Sequence, residues 1–146
     1  KLIKGKILTL SSAYMRLFKV NARIALLGLN PHNSENRLNS FENKTIKPVV
    51  EYLKKKKIII EGPFPADTIF SNQKKLKYNV IVGMYHDQVL APFKALYGYD
   101  AINITLGLNY IRVSPDHGTA RDIIGKNKAD PQSLIGAINF LNKIDD

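Results

Sequence analysis

The chain has 146 residues, 45% of them hydrophobic, which is enough for one real core and hardly for two independent ones. Lys and Arg number 22 against 12 Asp and Glu, a formal charge of +10 that suits an anionic partner. With no cysteine, disulfides, thiolate metal sites and cysteine nucleophiles are excluded, and no apolar run approaches the roughly 20 residues of a bilayer span.

The first residues, Lys1 to Lys6, carry neither an initiator Met nor a signal-type apolar core, so a cut through a longer chain is expected. Ser11 or Ser12 would cap a short helix through Phe18. The unbroken apolar run Arg23 to Leu29, ended by Asn30-Pro31, reads as a buried strand. Between Asn43 and Lys55, Ile46, Val49, Val50 and Leu53 recur at helical spacing, with Pro48 marking either a kink or a later start. Ile58-Ile59-Ile60 is a strand candidate stopped by Gly62-Pro63, and a short helix from Ala66 precedes a third strand candidate, Tyr78 to Met84.

A helix near Gln88 to Leu96 follows, containing Pro92, and then come strands within Ala101 to Leu106 and Tyr110 to Val113, close enough together to be antiparallel. Pro131 opens a helix whose apolar face would be Leu134, Ile135, Ala137, Ile138 and Leu141. Strands interleaved with helices give an α/β class, a layered mixed sheet with flanking helices. The simplest partition is a connecting segment, residues 1–22, and one α/β portion, residues 23–146, with its compact part between Arg23 and Leu141.

Much of the charge sits in Lys54 to Lys57 and in Lys74, Lys75 and Lys77, where cations suit the ends of helices and solvent. No recognition helix, zinc-finger spacing or aromatic RNA-binding strand accompanies them, so nucleic acid is not expected, and neither is a membrane. No dinucleotide fingerprint, phosphate-binding P-loop or nucleophile elbow is present either.

All three histidines sit beside turns. His32 and His86 each follow a strand candidate, and ligands in open α/β sheets gather beyond the carboxyl ends of strands. Neutral imidazole is a good ligand for a divalent transition metal, and Asp87 could orient His86, although two histidines do not close a tetrahedral site and each could equally be a hydrogen-bonded structural residue. Asp67 is either an N-cap or an acid/base group near the same crevice. Lys94, Asn103 and Arg112 fall near later strand ends, where they are either solvated or join to bind an anion.

Gly28-Leu29-Asn30-Pro31-His32, Gly62 to Thr68, Met84-Tyr85-His86-Asp87-Gln88, Asn103 to Leu108 and Asp116-His117-Gly118-Thr119-Ala120 stand in an order that resembles the 4-hydroxythreonine-4-phosphate dehydrogenases of pyridoxal phosphate biosynthesis. That family is distantly similar to the isocitrate and isopropylmalate dehydrogenases, and the stretch His117 to Lys126 resembles their cofactor-adenosine loop. The resemblance covers the chain from Arg23 onward and about the C-terminal two-fifths of a family member.

The resemblance implies an NAD-dependent, or NADP-dependent, oxidation of 4-phosphooxy-L-threonine to a β-keto acid that decarboxylates to 3-amino-2-oxopropyl phosphate. It makes His32 and His86 ligands of a zinc, magnesium or cobalt ion whose third histidine lies upstream of Lys1. Lys94, Asn103 and Arg112 match substrate-binding positions, and Asp67 and Asp87 match acidic positions near the metal. His117, Gly118, Thr119, Ala120 and Asp122 would contact the cofactor, with His117 near the adenine and Asp122 on the ribose; a capped helix start is the alternative for that loop. Asn33-Ser34 departs from the family's small residues, while Glu35 keeps its pattern.

A cytoplasmic homodimer with shared active sites is implied, and the fragment alone is expected to be inactive. The alternatives are a related dehydrogenase for another phosphorylated four-carbon hydroxy acid, and a noncatalytic basic domain that binds polyanions.

Overall fold

The computed structural model describes residues 1–32, 37–71 and 77–145; Asn33, Ser34, Glu35, Lys74 and Lys75 lie outside the described residues. The chain divides into two compact units, Lys1–Pro92 and Phe93–Asp146. The division falls inside a helix that runs from His86 to Tyr97.

In the first unit, β1 (Arg23–Leu27), β2 (Ile59–Phe64) and β3 (Val80–Val82) form a parallel sheet in the order β2-β1-β3. The central position of β1 explains why its sequence is apolar from Ile24 on, since Ile24, Ala25, Leu26 and Leu27 are all 0% exposed. Side chains alternate across a strand, so Ile24 and Leu26 meet Ile7 of α1 (Leu2–Phe18), Val50 and Leu53 of α2 (Lys47–Lys55), and Ile46 and Ile60. Ala25 and Leu27 face the other way, onto Ile69 of α3 (Ala66–Ile69) and Val89 of α4 (His86–Tyr97). Each fully buried Leu or Ile contributes about 1.5–3 kcal/mol to holding these layers.

Helix α1 is longer than the expected Ser11-capped segment because Ile3, Ile7, Leu10 and Tyr14 recur at helical spacing against this core. Of the two readings of Pro48, the later start holds. It lies in the first turn of α2, and a π-helical turn, Glu42–Ile46, precedes that helix. Strand β2 does not stop at Gly62-Pro63 but continues to Phe64, with a register irregularity opposite the Ala25–Leu27 segment of β1. Among the described residues β2 stands at the edge of the sheet, a place that tolerates the proline's missing donor.

Glu61 on β2 ties this sheet to the segment that enters β3. Lys77 Nζ donates to Glu61 Oε1 at 2.5 Å and Tyr78 Oη to Oε2 at 2.5 Å. The hydrogen bond from Lys77, then that from Tyr78, holds the Glu61 carboxyl below its usual range, while burial and then the Glu61 bond push the Tyr78 hydroxyl up to about 12. Glu61 therefore lends stability above the ordinary carboxylate range that is lost as pH falls through its depressed value. Tyr78 works in the opposite direction: its contribution is complete below its ordinary 10.0 and is lost as pH rises toward about 12. In thermal melts, Tyr78→Phe is expected to cost about 1 kcal/mol at neutral pH and to remove the alkaline loss of stability in that window.

In the second unit, β4 (Ile102–Thr105) and β5 (Arg112–Pro115) form an antiparallel ribbon. Helix α5 (Gln132–Asp145) packs on both strands. Its buried residues are Ser133 and Ala137, while Leu134, Ile135 and Ile138 are 43–51% exposed, so the expected apolar face is rotated from the observed one. The reason is a polar anchor. Ser133 Oγ donates to Ala101 O at 2.5 Å and accepts from Asp116 N at 2.8 Å, and this fixes which side of the helix meets the ribbon. Among the described residues no helix is long and apolar enough to cross a membrane.

Candidate functional site

In the first unit the candidates stand at one edge of the parallel sheet. His32 follows β1, Asp67 follows β2, and His86 and Asp87 follow β3, so every one lies beyond a strand's carboxyl end. His86 Nδ1 is 2.6 Å from Asp87 Oδ1, and both side chains are exposed. That pairing leaves Nε2 as the nitrogen available to a ligand, an arrangement by which a carboxylate can orient a metal-binding imidazole. His32 is exposed on the turn after β1, with its backbone N–H donating to Asn30 Oδ1 at 3.0 Å. Asp67 is not the cap of α3, since Pro65 holds that position with no side-chain cap bond, and the Asp67 carboxylate is exposed in the first turn.

The chemistry of these donors fits part of a divalent-cation site. Among the described residues no group of three His, Cys, Asp or Glu side chains stands close enough to hold an ion by itself. Two buried polar side chains that sequence reasoning missed organise the same edge. Glu42 Oε1 accepts from Leu29 N at 3.0 Å and Asn30 N at 2.9 Å, and Gln88 joins Gly28 O to Met84 N. Gln88 stands inside the Met84-to-Gln88 string; Glu42 carries no sequence signal beyond being an acid in an otherwise helical apolar pattern.

In the second unit, the register Asn103↔Ser114 and Thr105↔Arg112 puts Asn103, Thr105, Arg112 and Ser114 on one face of the ribbon. Asn103 and Arg112 are therefore diagonal neighbours, both exposed, and Arg112 Nη1 donates to Thr105 Oγ1 at 2.8 Å. Lys94 is engaged elsewhere. Its ammonium donates to Asp116 O at 2.7 Å, stands 2.9 Å from the solvent-shielded Asp116 Oδ2, and lies 4.7 Å from the Tyr99 ring centroid. Asp116 adjoins the Ile102–Pro115 end of the ribbon, three register steps, or about 10 Å, from the Arg112 pair.

A cleft of about 850 Å³ opens in this unit between Tyr97, Tyr99, His117, Gly118, Ala120 and Asp122. Thr119 does not line it. The loop is not a capped helix start: Ala120, at φ 42°, leads into a single 3-10 turn, Arg121–Ile123, with no side-chain cap bond. The two tyrosines are a further pair that the sequence reading passed over, although Tyr97-Gly98-Tyr99 at a helix end is a signal for an aromatic-lined cleft.

With these placements known, comparison with other proteins is decisive. The family described as pyridoxal phosphate biosynthetic protein PdxA matches residues 1–141. The chain belongs to this family. Among PdxA relatives, the 4-hydroxythreonine-4-phosphate dehydrogenase of Xanthobacter autotrophicus is 48% identical over 125 residues, which are 85% of this chain and 36% of that protein. The crystal structure of the Klebsiella pneumoniae 4-hydroxythreonine-4-phosphate dehydrogenase superposes with a TM-score of 0.81 at 37% identity, covering 99% of this chain and 44% of the other. A terephthalate 1,2-cis-dihydrodiol dehydrogenase from Burkholderia xenovorans is also similar, with TM-score 0.69, 29% identity, and 95% and 44% coverage. This PdxA chain thus spans a little over a third of the curated relative and under half of each solved chain.

Proposed function

We propose that this chain is the C-terminal part of an NAD- and metal-dependent dehydrogenase that oxidises the secondary alcohol of 4-phosphooxy-L-threonine, in pyridoxine 5'-phosphate biosynthesis. The observation that supports this best is the placement of His32, Asp67 and the His86–Asp87 pair beyond the carboxyl ends of three adjacent parallel strands. Oxidation removes a hydroxyl proton and a carbon-bound hydride. The resulting ketone lies β to the substrate carboxylate, so loss of carbon dioxide gives 3-amino-2-oxopropyl phosphate.

In this reading His32 and His86, with a third ligand from outside the chain, hold a zinc, magnesium or cobalt ion. A divalent cation there would supply Lewis acidity to the alcohol oxygen and then to the ketone. Asp87 orients His86, and Asp67, exposed at the same edge, takes the hydroxyl proton. Asn103 and Arg112 receive the substrate's anionic groups on the polar face of the ribbon, and Lys94, braced by Asp116, adds a cation. His117, Gly118, Ala120 and Asp122, which line the cleft, hold the adenosine part of NAD together with Thr119 of the same loop, with Asp122 on the ribose hydroxyls. The enzyme acts as a cytoplasmic homodimer with shared active sites, and the fragment alone is inactive.

The test is NAD reduction by the full-length protein with 4-phosphooxy-L-threonine, with and without added divalent metal. The B. xenovorans neighbour gives a specific reason for a substrate panel, which should include a four-carbon aldonate phosphate and a cis-dihydrodiol carboxylate. A rate confined to either of those moves the assignment to a related dehydrogenase. Salt-sensitive duplex DNA binding without NAD or metal binding moves it to a polyanion-binding domain. Arg112→Ala should raise KM for the phosphorylated substrate by about 10- to 100-fold, the equivalent of one lost charge-assisted contact. The same rise with an unphosphorylated analogue would remove Arg112 from the phosphate.

A further inference from the structure

Gln88 is 6% exposed, and both ends of its amide are hydrogen-bonded to backbone. Nε2 donates to Gly28 O at 2.7 Å, a residue sixty positions earlier, while Oε1 accepts from Met84 N at 2.7 Å. Gly28 begins the Gly28-to-His32 turn, and Met84 immediately precedes the segment that carries His86. One side chain therefore joins the two histidine-bearing segments directly. Alternatives to glutamine cannot do this: a carboxylate has no donor for Gly28 O, an apolar side chain has neither group, and asparagine is one methylene too short.

The surroundings are built around that amide. A Cβ on Gly83 would stand 2.8 Å from Val89 Cγ1 and 3.3 Å from Gln88 Oε1, so the turn before Met84 is packed against it. On the far side of the Gly28 turn, Glu42, 1% exposed and within the π-helical turn, accepts from the next two backbone N–H groups, Leu29 and Asn30. Asn30 in turn receives His32 N. The chain from Gly28 to His32 is thus held at successive points, and the Gln88 contact refers its position to the His86 helix.

We propose that Gln88 is a positioning residue for cation binding, setting the separation of His32 from His86 by bridging Gly28 O and Met84 N. This rests on the reading of both histidines as metal ligands. The bridge makes the pair pre-organised, so that an arriving cation does not have to order two independent loops.

The experiment titrates metal-free full-length protein with cobalt(II), followed by calorimetry and by the visible cobalt absorption, for Gln88→Met, Gln88→Asn, His32→Ala and His86→Ala. Both Gln88 variants should bind cobalt about 10- to 100-fold more weakly, the usual cost of losing an outer-sphere contact, with an altered cobalt spectrum at saturation. Gln88→Asn keeps a polar amide and reads the bridge even where the methionine variant does not fold. A lowered melting temperature with cobalt affinity within twofold of the parent protein would mean that Gln88 is merely structural, and overturns the proposal. Undiminished cobalt binding in His32→Ala and His86→Ala would instead overturn the metal reading itself, and the proposal with it.

Discussion

Replacing Gly62 with alanine is expected to cost the full-length protein about 3 kcal/mol or more, a large share of the roughly 5–15 kcal/mol by which folded proteins are stable. The backbone at Gly62 has φ 139°, a region essentially closed to residues with a side chain, and a Cβ there would stand 2.3 Å from Leu26 O. That carbonyl belongs to the central strand, so neither partner can retreat without disturbing the fully buried Leu26 and Leu27. Gly5, inside α1 with open space where its Cβ would be, provides the contrast. Gly5→Ala should stabilise by about 0.5–1 kcal/mol through helix propensity alone. Urea or thermal unfolding of the pair measures both; equal effects would mean that the close approach at Leu26 is relieved at little cost.

The second large effect is chemical. His86→Ala should reduce metal-dependent turnover by at least about 100-fold at limiting metal, because even residues that only orient a ligand cost 10- to 100-fold when removed. Asp87→Asn keeps the shape of the partner that lies 2.6 Å from His86 Nδ1 but removes its charge, so it should fall in that 10- to 100-fold range. Turnover measured against metal concentration separates the two variants: excess metal should recover much of the Asp87→Asn loss and little of the His86→Ala loss. An unchanged rate for His86→Ala at saturating substrate and limiting metal would remove His86 from the proposed role.

The parts of the fold that were legible share a physical cause. Strand β1 declares itself because a parallel strand covered on both faces has no reason to contain a polar residue, and the helical spacing of Ile46, Val50 and Leu53 survives as one face of α2. The extension of β2 through Gly62-Pro63 was not legible, because both residues ordinarily end strands and are admitted here by the edge position of β2 in the described sheet and a close approach to Leu26. The face of α5 was misread because the helix turns on the Ser133 hydroxyl, and hydrophobic spacing contains no term for a buried serine.

The candidate site divides the same way. The placement of His32, Asp67 and His86 after strands was legible because turns after strands are visible in a sequence. Glu42 and Gln88 were not, because a buried polar side chain is called for by backbone groups left unpaired in a distant loop, and only the folded chain brings those within reach. Lys94 was visible as a charge, but its commitment to Asp116 was not.

The strand order β2-β1-β3 also bears on synthesis. Of these three strands the earliest in the chain is the one that ends in the middle, and the bond from Arg23 N to Asn79 Oδ1 spans 56 residues. Until β3 has left the ribosome, one long side of the most apolar strand in the chain is an open template for another molecule. Nascent chains whose emerged part ends between Phe64 and Val80 should therefore be the aggregation-prone species, and the ones a chaperone holds.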